Sequence, residues 1–310
     1  MKNLLVLAFA LVLAQSCTKS EAKNETISLS KNNTLVLAAE VNDETVAKLS
    51  AQALAMDENL EEDAPIYLVL NTPGGSVTAG LELIDNLKGL DRKVHTITIF
   101  AASMGFQIAQ NLNDRIITNN GVLMSHRAKG SMGSAEFGGQ SPSQLETRFA
   151  FWNNKIKEMD KVTVSRTKGM QTLESYQAAY ENELWLTGRD AVTQGYADQV
   201  RSARCDKSLS GTQAETFSFF GLVIEVVFSD CPLITGPLSV SMSIMVGGKK
   251  MPLNEFQQRN GQFGNACANL NRTMVTPCAD DVTLTMEKIE QLKQQTLDKI
   301  SNKKVVFYIK

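Results

Sequence analysis

Only two histidines, His95 and His126, occur in the 310 residues, so histidine-based metal chemistry is severely limited and any imidazole mechanism has two candidates. An excess of one charge is also lacking: 31 Lys and Arg stand against 33 Asp and Glu, a net charge of −2, with no basic cluster. Nucleic acid is therefore not expected as the main partner. No apolar run approaches the roughly 20 residues that a helix needs to cross a bilayer. Leu4 to Ala14 is uninterrupted but has only eleven. Cysteine is absent between Cys17 and Cys205, and no Cys-x-x-Cys pair occurs, which leaves structural zinc a weak reading and no metal site expected. Composition is otherwise that of a globular protein, 43% hydrophobic and 21% charged, so disorder and fibrous repeats are excluded. The length suits two domains of about 150 residues each.

The N-terminus carries an export pattern. Lys2 supplies the positive end, the apolar run follows, and Ala14-Gln15-Ser16-Cys17 resembles a bacterial lipoprotein cleavage site, although Gln15 stands where a small residue is usual. On this reading residues 1–16 are a signal peptide, Cys17 is lipidated, and 17–30 form a polar linker. The expected location is the bacterial cell envelope, in the periplasm and lipid-anchored to a membrane; plain secretion and a buried segment are the alternatives. Without Cys17, an even set is left in the last third: Cys205, Cys231, Cys267 and Cys278. Two disulfides are expected in three possible pairings, with free buried thiols as the alternative.

Along the chain, TLVLAAEV at 34–41 reads as a strand. A helix follows from Asp43 to Met56, with Asn42 or Asp43 as N-cap and Val46, Leu49, Ala53 and Met56 on one face. Ile66–Leu70 and Val94–Phe100 are continuous apolar runs suited to strands buried on both faces. Helices are expected over Val77–Leu87 and after Ala101, and two further strands at Arg115–Thr118 and Val122–Ser125. This alternation predicts βαβ units and a largely parallel sheet. Leu145, Phe149, Trp152, Ile156 and Met159 recur at helical spacing, for packing on the sheet or for assembly. Residues 206–215 read as a linker, Phe217–Phe228 as β-prone, Leu238–Val246 as an alternating strand, and Asp281–Ile300 as an amphipathic helix.

Ser103 falls where a strand ends and a helix begins, a place where a hydroxyl projects beside helix-terminal N–H groups. His126 closes another strand of the same sheet and can reach the same edge. IYLVLNTPGGSVTAG (66–80), AASMG (101–105) and a histidine 23 residues after Ser103 resemble the proteolytic subunit of the Clp serine proteases. The resemblance runs over about residues 34–202, including Ala191, Gly195 and Asp198. It implies an α/β fold, a Clp- and crotonase-like repeated ββα core with a handle helix, over 31–204. Residues 205–310 would be a smaller, disulfide-bearing C-terminal α+β domain of unknown role.

The resemblance further implies Ser103 as nucleophile, His126 as general base, and the N–H groups of Gly75 and Met104 as an oxyanion hole. Gly74, Gly130 and Gly133 would border the substrate groove, with the helix after Gly139 as the handle. The family's aspartate position falls on Glu183, with Glu181 or Asp190 as alternatives. Ile99 and Phe100 replace a glycine usual before AAS, which alters the pocket. The expected activity is an envelope serine endopeptidase acting on peptides or unfolded proteins through a Ser-His-Glu acyl-enzyme, without cofactor, metal or ATPase partner, as a homo-oligomer. Alternatives are a catalytically silent scaffold and an acyl-CoA enzyme of the crotonase fold. Ser103 could also simply cap a helix, and His95 reads as structural.

Overall fold

The computed structural model describes residues 26–61, 63–128, 141–219, 222–246, 249–252 and 255. The expected signal peptide, Cys17, Gly130, Gly133, Cys267, Cys278 and the segment 281–300 lie outside these. After a short strand β1 (Ile27–Leu29), the chain alternates β2 (Thr34–Leu37), α1 (Asp43–Asn59), β3 (Ile66–Thr72), α2 (Val77–Lys88), β4 (Val94–Ala102), α3 (Met104–Asn111) and β5 (Arg115–Ser125). Then come α4 (Pro142–Arg166), α5 (Leu173–Tyr180), β6 (Leu184–Thr187), α6 (Gly188–Thr193), β7 (Gln199–Val200) and β8 (Ala203–Cys205).

The central sheet runs β2-β3-β4-β5-β6, with β7 also on β5. β2 to β5 are parallel, as alternation with helices requires, and β6 is antiparallel to the end of β5. Ile66, Leu68, Val69 and Leu70 are all fully buried, which is why β3 reads as an unbroken apolar run. Leu49, Leu68, Leu83, Leu87 and Phe106 pack in the main core between the sheet and α1 to α3. Each such fully buried side chain contributes about 1.5–3 kcal/mol. Asn42 is the N-cap of α1, in a reciprocal capping box with Thr45.

Three expectations need correction. The two strands read at 115–118 and 122–125 are one strand, β5, with an irregularity where Thr98 pairs with Ile117 and Phe100 with Val122. Its first half is flanked by β7 and its second by β6. The stripe on α4 does not pack on its own sheet through the early turns: Phe149 is 50% exposed, and only Met159, Asp160 and Thr163 of the helix are buried. The polar stretch 206–215 is not a free linker. It holds a 3₁₀ turn, Lys207–Leu209, and Leu209 is buried with Ile27, Leu29, Val69, Ile97 and Ile116 on the sheet face away from the helices.

Beyond it lies a four-stranded antiparallel sheet, β12-β11-β10-β9, built from β9 (Thr212–Phe219), β10 (Leu222–Ser229), β11 (Ser239–Val246) and β12 (Lys249–Pro252). The β-prone run 217–228 is thus the junction of two paired strands. Cys205 and Cys231 form a disulfide, tying β8 to the loop after β10. Leu233, two residues further on, packs against the same cluster as Leu209.

Candidate active site

Ser103 is the single residue between β4 and α3. The last paired residue of β4, Ala102, stands opposite Met124, and the Ser103 N–H donates to the Met124 carbonyl at 2.9 Å. The chain turns there with φ 55 and ψ −117, a conformation that non-glycine residues adopt only when their surroundings impose it. Ser103 does not cap α3: its side chain makes no capping bond, and the hydroxyl has no hydrogen-bond partner among the described residues.

The Pro73-Gly74-Gly75 turn lies directly against this residue. A Cβ on Gly74 would sit 2.5 Å from the Ala102 carbonyl, 2.7 Å from Ser103 Cβ and 2.8 Å from the Met104 nitrogen. With φ at 94, Gly74 also occupies backbone space that favours glycine. Gly75 is held by the chain after β2: Val41 N–H donates to Gly74 O and Ser76 N–H to Val41 O, each at 2.8 Å. These bonds use the groups on either side of the Gly75 N–H, which has no acceptor among the described residues. Met104 is the first residue of α3, so its N–H has no intrahelical acceptor either. Two amides without acceptors among the described residues therefore adjoin this turn: Met104 directly follows Ser103, and Gly75 directly follows the glycine that packs on it.

His126 follows the last residue of β5, so the neighbouring strands β4 and β5 deliver Ser103 and His126 to the same sheet edge, with Ser103 level with Ser125 and His126 one residue further on. Its Nδ1 lies 2.6 Å from the Arg127 carbonyl. A carbonyl can only accept, so Nδ1 is the donor in this bond, and in the neutral ring Nε2 is the nitrogen left with a lone pair. No hydrogen bond joins Ser103 and His126 among the described residues.

The β5–β6 ladder pairs Met124 with Trp185 and Ser125 with Leu184. One step further, that register sets Glu183 opposite His126. The Glu183 carboxylate, however, accepts from Trp185 Nε1 at 3.1 Å. Glu181 is paired with Arg127 at 3.2 Å, and Asp190 accepts from the Thr187 hydroxyl at 2.8 Å. Phe100 meets the Trp185 ring at 6.5 Å, so the residue that replaces the usual glycine forms part of the wall beside Glu183.

His95 is the second residue of β4 and lies about 26 Å along the strand from Ser103 at 3.3 Å per residue. It accepts from the Asp114 N–H at 3.2 Å, and burial pushes its pKa down against the opposing pull of Asp114. That is the structural role expected of it. No cluster of His, Cys, Asp and Glu suited to a metal occurs among the described residues.

Asp198, read only as part of a closing motif, holds the start of β5. It accepts from the Arg115 backbone N–H at 3.0 Å and from Nε and Nη2 at 3.1 and 2.9 Å. Three further positions escaped the sequence reading. Gln107, Thr163 and Tyr176 are polar residues inside helices, and nothing in their spacing marks them; all three are buried beneath the site.

The family profile described as Clp protease matches residues 18–204 of this chain, and the chain belongs to the Clp protease family. The ATP-dependent Clp protease proteolytic subunit 1 of Leifsonia xyli subsp. xyli is 30% identical over 179 residues, covering 56% of this chain and 86% of that protein. The corresponding subunits of Streptococcus gordonii and Streptococcus pneumoniae are each 28% identical over 175 residues, with the same coverage.

Proposed function

We propose that the protein is a serine endopeptidase of peptides or unfolded proteins, with Ser103 as nucleophile, His126 as general base and Glu183 as the orienting acid. The observation that carries this reading is the strained turn at Ser103, whose hydroxyl is free of structural bonds and is flanked by the unbonded N–H groups of Gly75 and Met104. Those two donors suit the oxygen of a tetrahedral intermediate, and one such donor contributes roughly 3–4 kcal/mol to the transition state.

The mechanism follows from the tautomer. His126 Nε2 takes the proton of Ser103 as Oγ attacks the peptide carbonyl, then gives it to the leaving amine. Water, deprotonated by the same nitrogen, releases the acyl group and restores Ser103. Glu183 accepts from Nδ1–H once its carboxylate leaves Trp185 and the imidazole leaves the Arg127 carbonyl. Gly74 borders the groove for an extended substrate. We further propose location in the bacterial envelope, anchored through lipid on Cys17. Work there would proceed without an ATP-driven partner, and in a homo-oligomer.

A second reading, a catalytically silent scaffold, is favoured by one observation: His126 Nδ1 and Glu183 each hold another partner. A fluorophosphonate separates the two. Labelling at Ser103 that disappears in Ser103→Ala and in His126→Ala supports the peptidase; a folded, assembled sample that takes no label supports the scaffold.

A further inference from the structure

Beneath Ser103 and His126 lies a hydrogen-bonded set of neutral side chains drawn from four elements. The Tyr176 hydroxyl, on α5, is 2.8 Å from Ser125 Oγ, and Ser125 directly precedes His126. Gln107 Nε2, on α3, donates to the same phenolic oxygen at 3.4 Å. Thr163, on α4, donates to Gln107 Oε1 at 3.3 Å. Tyr176 and Thr163 are fully buried, Ser125 is 2% exposed and Gln107 9%. Helix α3 closes the circuit, because the Gln107 N–H donates to the carbonyl of Ser103 at 3.3 Å.

We propose that Tyr176 is a positioning residue for both catalytic groups, acting on His126 through Ser125 and on Ser103 through Gln107. This rests on the serine peptidase reading above. The Tyr176 ring is fixed by its surroundings: it packs on Phe106, Tyr180 and Tyr196 with centroids 6.3, 4.8 and 5.8 Å away. Its hydroxyl is therefore a fixed point to which two neighbours, Ser125 and Gln107, are attached. Side chains alternate across a strand, so holding Ser125 inward fixes the pleat that sends His126 to the opposite face. Holding Gln107 fixes the first turn of α3, which carries Ser103 and the Met104 N–H. Burial pushes the phenol well above its ordinary pKa, so the hydroxyl stays protonated and uncharged across the working range. In surroundings of low polarity such bonds strengthen one another, and a missing member leaves the others without partners.

The test compares wild type with Tyr176→Phe, Ser125→Ala and the double variant in the full chain. Readouts are hydrolysis of a short peptidyl-coumarin amide and the rate of fluorophosphonate attachment to Ser103, each normalised to folded protein. Misplacement of catalytic groups predicts a fall in kcat and labelling of roughly ten- to a hundredfold, with KM within about twofold. The double variant should be no worse than Tyr176→Phe alone, because Ser125→Ala removes only a bond that Tyr176→Phe already breaks. Should Tyr176→Phe fail to fold, Ser125→Ala, which removes one atom, carries the comparison. Wild-type rates in folded Tyr176→Phe and Ser125→Ala would overturn the inference while leaving the peptidase reading intact. Absence of Ser103 labelling in wild type would instead remove the peptidase reading, and this inference with it.

Discussion

His126 and Glu183 occupy facing positions where the ladder of β5 and β6 ends, yet their side chains point to other partners: the imidazole to the Arg127 carbonyl, the carboxylate to the Trp185 indole. Backbone placement and side-chain engagement are thus separate matters here. Trp185→Phe removes the indole donor but keeps the ring beside Phe100. It is expected to raise the rate at which a fluorophosphonate labels Ser103, whereas Glu183→Gln is expected to lower kcat by about a hundredfold or more. Equal rates in Glu183→Gln and wild type would remove Glu183 from the mechanism.

Gly74 has no room to grow. Gly74→Ala would press a methyl group against Ser103 Cβ and the Met104 nitrogen and would impose a left-handed backbone on alanine. The expected outcome is loss of labelling together with destabilisation of about 2 kcal/mol or more, read from chemical denaturation.

Ser103 holds its turn under strain, so relief of that strain should be measurable. Ser103→Gly suits φ 55 and is expected to stabilise the fold by up to about 1 kcal/mol, while Ser103→Ala gains nothing. Both abolish hydrolysis. A glycine variant less stable than the alanine variant would contradict a strained turn.

Asp198 supplies a pH dependence with a definite sign. Burial alone would raise its pKa, but the side-chain and backbone hydrogen bonds of Arg115 and its charge hold the carboxyl far below the usual range. A depressed native pKa adds stability above the unfolded value near 4, and that stability is lost as pH falls toward the native value. Asp198→Asn leaves Arg115, only 2% exposed, without its counter-charge. A loss of about 3–5 kcal/mol is expected at pH 7. Denaturation at pH 7 and pH 3 should show this gap narrowing in acid; a gap of equal size at both would refute the assignment.

Much of this arrangement was legible in the residues. β3 and β4 read as unbroken apolar runs because parallel strands are covered on both faces. Ser103 and Gly74 stood out through turn chemistry and motif, and Glu183 by counting back from Gly195 and Asp198. β5 read as two strands because Asn119-Asn120-Gly121 resembles a turn; the chain passes through that stretch while exchanging one neighbour strand for another. The stripe on α4 was real in period, but periodicity cannot say what an apolar face meets. Gln107, Thr163 and Tyr176 were invisible because polar residues in helices read as solvent-facing, and only tertiary packing sends these three inward.

The disulfide at Cys205 and the buried Leu209 bear on how the chain can be divided. The sheet face away from the helices is covered partly by β1, within the stretch shared with its relatives, and partly by Leu209 and Leu233, which lie beyond it. A fragment ending at residue 204 would keep Ile27 and Leu29 but lose Leu209 and Leu233, leaving the cluster around Val69, Ile97 and Ile116 partly uncovered. Such a fragment is expected to be less stable and more prone to aggregate on expression, so this chain is best regarded as indivisible at residue 204.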